Sequence, residues 1–249
     1  MPDRIDGSYD AIILQERPFN EADVMLTALT ADIGHQTFIA RGLKKGTSRL
    51  RGIVAPFAEC RLQLVQGKGV AVLTGADLVD AHQAIRNDYR ASLAAMYICD
   101  LFHQMTQENE RDLERYSLLQ RGLKVLPDLY PWQWLFWMEW QLLKNAGFSA
   151  DLDVCGVCGK PLTPSHGGVH AGIDGTFSHT TCGPDAEGLQ LTVAEHQYLR
   201  FLDAGGLAYL KAIQLRPTVR KRLFSYLGTR LSYVLDFPLR SRESIKGLI

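Results

Sequence analysis

Acidic residues are missing from two stretches of this chain: none lies between Asp32 and Glu59, and none between Asp203 and Asp236. The first gap holds Arg41, Lys44, Lys45, Arg49 and Arg51; the second holds Lys211, Arg216, Arg220, Lys221, Arg222 and Arg230. Net charge over all 249 residues is nevertheless zero, which excludes a uniformly basic protein and leaves two local positive fields. Every apolar run stops well short of a membrane span, and no apolar segment follows Met1-Pro-Asp-Arg4, so neither a transmembrane helix nor a signal peptide is expected. Cysteine is scarce. Cys60 and Cys99, two of only five, sit in apolar patterns, which argues against a disulfide framework and suits the reducing cytoplasm.

Catalytic signatures are also missing. The sequence has no P-loop, G-x-S-x-G or H-E-x-x-H, and Gly67-x-Gly69 lacks the third glycine of a dinucleotide fingerprint. No His is followed two residues later by Glu, and Val154 rather than proline precedes Cys155, which excludes a zinc nucleobase deaminase. Asp153, Asp174 and Asp185 are too sparse around the cysteines to serve a metallohydrolase or nuclease. A binding protein is the stronger class.

What is present is a folded composition, 46% hydrophobic and 22% charged, with one strong motif. Cys155-x-x-Cys158 and His179-x-x-Cys182 offer three thiolates and an imidazole in two pairs of equal spacing. This is an ordinary tetrahedral Zn²⁺ set, and four protein ligands leave no open position for catalysis. The 20 residues between the pairs carry turn signals at Gly167-Gly168 and Asp174-Gly175, so short strands are expected over 169–173 and 176–177. His166 and His170 compete with His179 for the fourth position.

Residues 8–80 alternate strand-like runs with turns: 8–16, 21–30, 35–41, 57–66 and 70–78. In the fourth, Ala58, Cys60, Leu62 and Leu64 share one face while Glu59, Arg61 and Gln63 share the other. Five strands with one long loop suit an OB-type barrel, and an SH3-like barrel fits the same pattern. The long loop, 41–52, is flexible through its glycines and carries the five cations of the first acid-free gap, suited to phosphate.

From residue 81 the period becomes helical. Helices are expected over 87–107 with Leu93, Met96, Tyr97, Leu101 and Met105 as its stripe, over 110–126, and over 131–146. The last holds all four tryptophans, spread too far around the helix for an exposed stacking platform, so they belong to the core. Thr192 and Glu195 form a capping box. A final helix over 217–234 presents Arg216, Arg220, Lys221, Arg222 and Arg230 away from its apolar stripe, a second candidate patch for DNA. The fold class is α+β and multidomain: a barrel over 1–80, then a helical domain over 81–249 interrupted by a zinc insertion at 150–188.

Tyr9-Asp-Ala-Ile-Ile-Leu14, Arg17-Pro-x-x-Glu21-Ala-Asp23, Ile33-Gly34 and Ala40-Arg41-Gly42-x-Lys44-Lys45-x-x-Ser48-Arg49-Leu-Arg51-Gly52 resemble the start of the RecO family of bacterial recombination mediators and DNA-repair proteins. Trp140-x-Leu-Leu-x-x-x-Gly147-Phe ahead of Asp153-x-Cys155-x-x-Cys158 extends the likeness over essentially the whole chain. The resemblance implies an OB barrel joined to a helical domain with a zinc ribbon. It further implies binding to single- and double-stranded DNA, annealing of complementary strands, and work with RecR to load RecA onto DNA coated by single-strand-binding protein, whose C-terminal tail docks in the helical domain. Arg41, Lys44, Lys45, Arg49 and Arg51 match the family's basic loop, and Arg17 matches a position beside it. Cys155, Cys158 and Cys182 match metal positions, whereas His179 stands where many members have a fourth Cys. Other readings of the same residues are a general nucleic-acid-binding module and a zinc-stabilised scaffold.

Overall fold

The computed structural model describes residues 5–67, 69–148, 151–163, 168–182 and 188–249. Lys68, the expected turn residue Gly167, the alternative ligand His166, and Asp185 lie outside them. Two compact units divide the chain, residues 1–127 and 128–249.

The first unit is built on a closed barrel of β1 (Gly7–Pro18), β2 (Val24–Thr30), β3 (Gly34–Ala40), β4 (Glu59–Val65) and β5 (Ala71–Asp80) in the order β1-β2-β3-β5-β4. Strand β1 is long enough to pair with β4 through its first half and β2 through its second, with an irregularity between Ile13 and Gln15 where it bends. Strands β3 and β5 pair in parallel, where a meandering SH3-like barrel would place β4. The barrel is therefore of the OB type. Its core takes the inward face of every strand, including Ile13, Leu26, Phe38, Leu62 and Leu73.

Glu59 departs from the expected alternation. It is buried, and its carboxylate accepts a 2.8 Å hydrogen bond from Gln120 and faces His82 Nε2 at 3.1 Å. Burial alone would raise its pKa, but the hydrogen bonds from His82 and Gln120 hold it below the usual carboxylate value.

Three helices complete this unit: α1 (Gln83–Arg86), α2 (Tyr89–Met105) and α3 (Leu113–Val125). Asp88 caps α2, accepting from Arg90 N and Ala91 N. Of the expected α2 stripe only Tyr97 and Leu101 are buried; Met96 is 53% exposed. The helix instead buries Ala91, Ala94, Ala95, Ile98 and Phe102, whose small members let it lie close to its neighbours. Helix α3 starts three residues later than expected because residues 108–110 run beside β3. Asn109 N donates to His35 O at 3.0 Å, and Thr37 Oγ1 donates to Glu108 at 2.9 Å. Gly34 has φ of 69° and a Cβ there would lie 1.8 Å from Glu110 O, so glycine is required. His35 Nε2 lies 2.9 Å from His103 Nδ1 on α2, and burial with the neighbouring His103 pushes the His35 pKa down to about 4. These bonds tie α2 and α3 to the barrel, so the packing division falls after Pro127 although the strand pattern ends at Asp80.

The second unit contains α4 (Pro131–Asn145), a three-stranded sheet of β6 (Val169–Gly172), β7 (Phe177–His179) and β8 (Gly188–Leu191), then α5 (Val193–Asp203), α6 (Leu207–Leu210) and α7 (Pro217–Leu235), and a final 3-10 helix Arg240–Leu248. Strand β6 lies between β7 and β8. Strand β8 had no expectation behind it; it leads directly into α5. All four tryptophans of α4 are buried. Thr192 and Glu195 form the expected capping box at α5. Arg230 is a correction: it is 1% exposed, lies 5.1 Å from the Trp140 ring centroid and donates to Phe148 O, so it belongs to the core and not to a DNA-facing surface.

Candidate metal centre and nucleic-acid interface

The Cys155–Cys158 turn is a tight knuckle. Cys155 N donates to Lys160 O at 2.8 Å and Gly159 N to Cys155 O at 2.9 Å, with Gly159 at φ of 69°. Gly156 N donates to Phe177 O at 2.8 Å, fastening the knuckle to β7, the strand that carries His179 at its end. Cys182 N then donates to His179 O at 2.9 Å, bringing the second pair round. The candidate ligand atoms of Cys155, Cys158, His179 and Cys182 all lie within 4.8 Å of one another. His179 Nδ1 is 3.5 Å from Cys158 Sγ and 3.7 Å from Cys182 Sγ. Tetrahedral Zn–S and Zn–N bonds give edges of about 3.5–3.8 Å, so the group can hold such an ion.

The imidazole is already oriented for this role. His179 Nε2 lies 3.1 Å from Pro161 O, a group that only accepts, so Nε2 carries the proton and Nδ1 turns its lone pair toward the sulfurs. Burial opposes ionisation of Cys155, but N–H groups of Cys158, His179 and Val157 hold its thiol down to about 6. Cys60 and Cys99 are the opposite: burial pushes both thiols up to about 12, and neither joins the cluster. His170 is also outside the four-residue group.

The basic loop follows β3. Arg41, Lys44, Lys45, Arg49 and Arg51 are all exposed, while Leu43 and Val54 between and beyond them are buried in the barrel core. The expectation of a loop loosened by glycine needs correction over its first half, where the backbone is tied down. Gly42 N donates to Asp23 Oδ1 at 2.8 Å, Lys44 N to Ala22 O at 3.0 Å, and Lys44 Nζ to Asn20 O at 3.0 Å. The Gly42 and Asn20 hydrogen bonds, with help from Arg41 and Lys45, hold the Asp23 carboxyl below its ordinary pKa. The β1–β2 turn and the basic loop therefore form one assembly at one end of the barrel. Arg17 joins it through register, since Pro18 pairs with Val24 and Val24 with Ala40. The same turn exposes Phe19, at 47%, which the sequence reading passed over.

Two family models cover nearly the whole chain: recombination protein O N terminal over residues 6–82 and recombination protein O C terminal over residues 86–243. The chain belongs to the RecO family. It is 27% identical to the DNA repair protein RecO of Desulforamulus reducens, covering 96% of this chain and 93% of that one. The corresponding protein of Roseiflexus sp. is 28% identical, covering 97% and 85%, and that of Myxococcus xanthus 29% identical, covering 93% of each.

In this RecO-family chain the second basic patch is less free than its sequence suggests. The Arg220 guanidinium lies 5.2 Å from the Trp132 ring centroid and is half-buried. Arg222 donates to Gln190 O and lies 3.6 Å from Glu195. Arg216 and Lys221 remain exposed. No described helix is long and apolar enough to cross a membrane.

Proposed function

We propose that this chain is a non-catalytic recombination mediator. It binds single- and double-stranded DNA, anneals complementary strands, and with RecR helps RecA load onto DNA coated by single-strand-binding protein. It acts in the cytoplasm on the nucleoid, and its metal is one structural Zn²⁺ held by Cys155, Cys158, His179 and Cys182. The observation that carries the reading is the anchored basic loop: five exposed cations with no acid from residue 33 to 58, joined by Arg17. Such contacts address phosphates of any sequence, as a mediator acting at arbitrary lesions needs.

The test is single-strand binding across a salt series. Wild type is expected to show a steep inverse dependence on salt. A Lys44→Glu/Lys45→Glu/Arg49→Glu/Arg51→Glu variant should bind about a hundredfold more weakly, its salt slope smaller by about 3. In the same preparation Arg216→Glu/Lys221→Glu should slow annealing while leaving single-strand affinity largely intact, because the second strand uses that patch. Weak, salt-insensitive binding by wild type would instead make the chain a zinc-stabilised scaffold.

The tail of single-strand-binding protein, acidic and apolar at its end, suits a groove of about 580 Å³ lined by Ile173, Leu189, Tyr226 and Arg222. Titrating that tail peptide onto the full chain should give saturable binding that Leu189→Glu abolishes. An unchanged affinity in the variant would rule this groove out.

A further inference from the structure

An OB barrel usually offers the outer face of β2 and β3 to an extended nucleic-acid strand, between the loops that follow β1 and β4. In this chain most of that face is filled by the chain itself. Register places Gln15, Thr27 and Thr37 in one outward row. Gln15 donates to Asp100 on α2 at 2.6 Å and Thr37 to Glu108 at 2.9 Å. Deeper along the same face Leu29 pairs with His35, both buried, and His35 meets His103 and Glu108. The two carboxylates, Asp100 and Glu108, stand where a phosphate backbone would have to pass.

One outward row is left. Arg17 pairs with Met25, Met25 with Ile39, and Ile39 with Val72 across the parallel β3–β5 contact. Arg17 is exposed and the other three are half-buried. This row ends against the β1–β2 turn, where Phe19 is the exposed aromatic among the described residues of the barrel. The turn is rigid: Phe19 N and Asn20 N both reach Asp23 O, at 3.2 and 3.4 Å, and Pro18 precedes the ring. The carbonyl of the next residue, Asn20, takes the Lys44 ammonium. An aromatic face, an apolar strip and a cluster of cations thus converge on one rim. Glu21 is the exposed acid on the same turn.

We propose that this rim is a short single-strand site in which Phe19 stacks on an unpaired base, the Met25–Ile39–Val72 strip takes the next base, and Arg17 with the 41–51 loop takes the flanking phosphates. The inference rests on the DNA-binding reading above and adds to it the basis of strand selectivity. Duplex DNA presents phosphates to the cations but keeps its base faces stacked inside, so Phe19 acts on single strands alone.

The experiment compares full-length wild type, Phe19→Ala and Phe19→Trp on oligo-dT, on a duplex of equal length, and on an abasic strand of the same charge. Phe19→Ala is expected to bind oligo-dT about tenfold more weakly, the loss of one stacked base. Its duplex affinity, salt slope and melting temperature should match wild type, and Phe19→Trp should restore oligo-dT binding. Wild type should lose at least that factor on the abasic strand, where Phe19→Ala should bind as wild type does. An equal loss by Phe19→Ala on duplex and single strand, or no loss on either, overturns the proposal. Should wild type bind neither DNA, the DNA-binding reading falls as well. If it binds both with a steep salt dependence and Phe19→Ala behaves as wild type, the stacking site alone is wrong.

Discussion

Stripping zinc from the chain, or replacing Cys158 by serine, is expected to release the Cys155–Cys158 knuckle and strands β6–β8 while the barrel unit stays folded. The strands run only three or four residues each, too short for an independent sheet. Their apolar contribution is small: Val169, Ala171, Phe177 and Leu191 are the buried hydrophobics of the three strands. Zinc binding in small ribbons supplies about 10–16 kcal/mol of apparent folding free energy, far more than such a core. Part of the loss is offset here, because the ribbon is docked on its own unit. Phe177 meets Trp140 edge-on, His196 Nε2 reaches Leu152 O at 2.7 Å, and Tyr226 Oη donates to Gly172 O at 3.2 Å. A chelator titration should therefore release one zinc per chain. Proteolysis should then cut first beside the ribbon strands, with residues 5–127 resistant. Cys60→Ala, which touches no ligand, should keep its zinc. A chain purified with zinc that carries none, or one whose proteolysis ignores the chelator, would remove the metal from this account.

Much of this arrangement was legible because it depends on neighbours in sequence. Alternation over 60–64, the Thr192–Glu195 box, the start of α4 at Pro131 and the paired ligand spacings each express a local rule, and each reappears in the structure. The misread positions have partners far along the chain. Glu59 looks solvent-facing until Gln120 and His82 cover it, and Arg230 looks like part of a basic face until Trp140 and Phe148 enclose it. Met96 was given to a core stripe by its helical spacing from other apolar residues, whereas α2 buries its alanines. Helix α3 begins late because residues 108–110 run beside β3, an interaction between residues 71 to 74 positions apart.

The basic loop shows what the missed contacts change in function. A glycine-loosened loop would lose conformational freedom on meeting DNA, and that loss would weaken binding. Here Leu43 within its charged run and Val54 beyond it are buried in the barrel core, and Asp23 holds Gly42 in place. The cations are thus presented before DNA arrives. Affinity then depends on charge number and salt, as the loop-reversal experiment measures, more than on loop ordering.

Replacing Arg242 by alanine should destabilise the second unit by about 3–5 kcal/mol, the cost of leaving a buried charge without its partner. Glu139, on α4 among the tryptophans, is fully buried. Arg242 meets it with two parallel hydrogen bonds, Nε to Oε1 and Nη2 to Oε2, both 2.9 Å. The guanidinium also lies 3.6 Å from the Phe224 ring centroid, and a Cβ on Gly228 would come within 2.4 Å of it. One side chain therefore joins the C-terminal 3-10 helix to α4 and α7. Its loss removes packing as well as charge. Thermal unfolding of the full chain should show the transition of the second unit falling by about 10 °C or more, with single-strand binding by the barrel loop retained. The double variant Glu139→Leu/Arg242→Met, which removes both charges and fills the space with apolar atoms, should recover most of the loss. A shift of under about 1 kcal/mol in Arg242→Ala, or a double variant no more stable than the single one, would show that the pair does not hold the C-terminus in place.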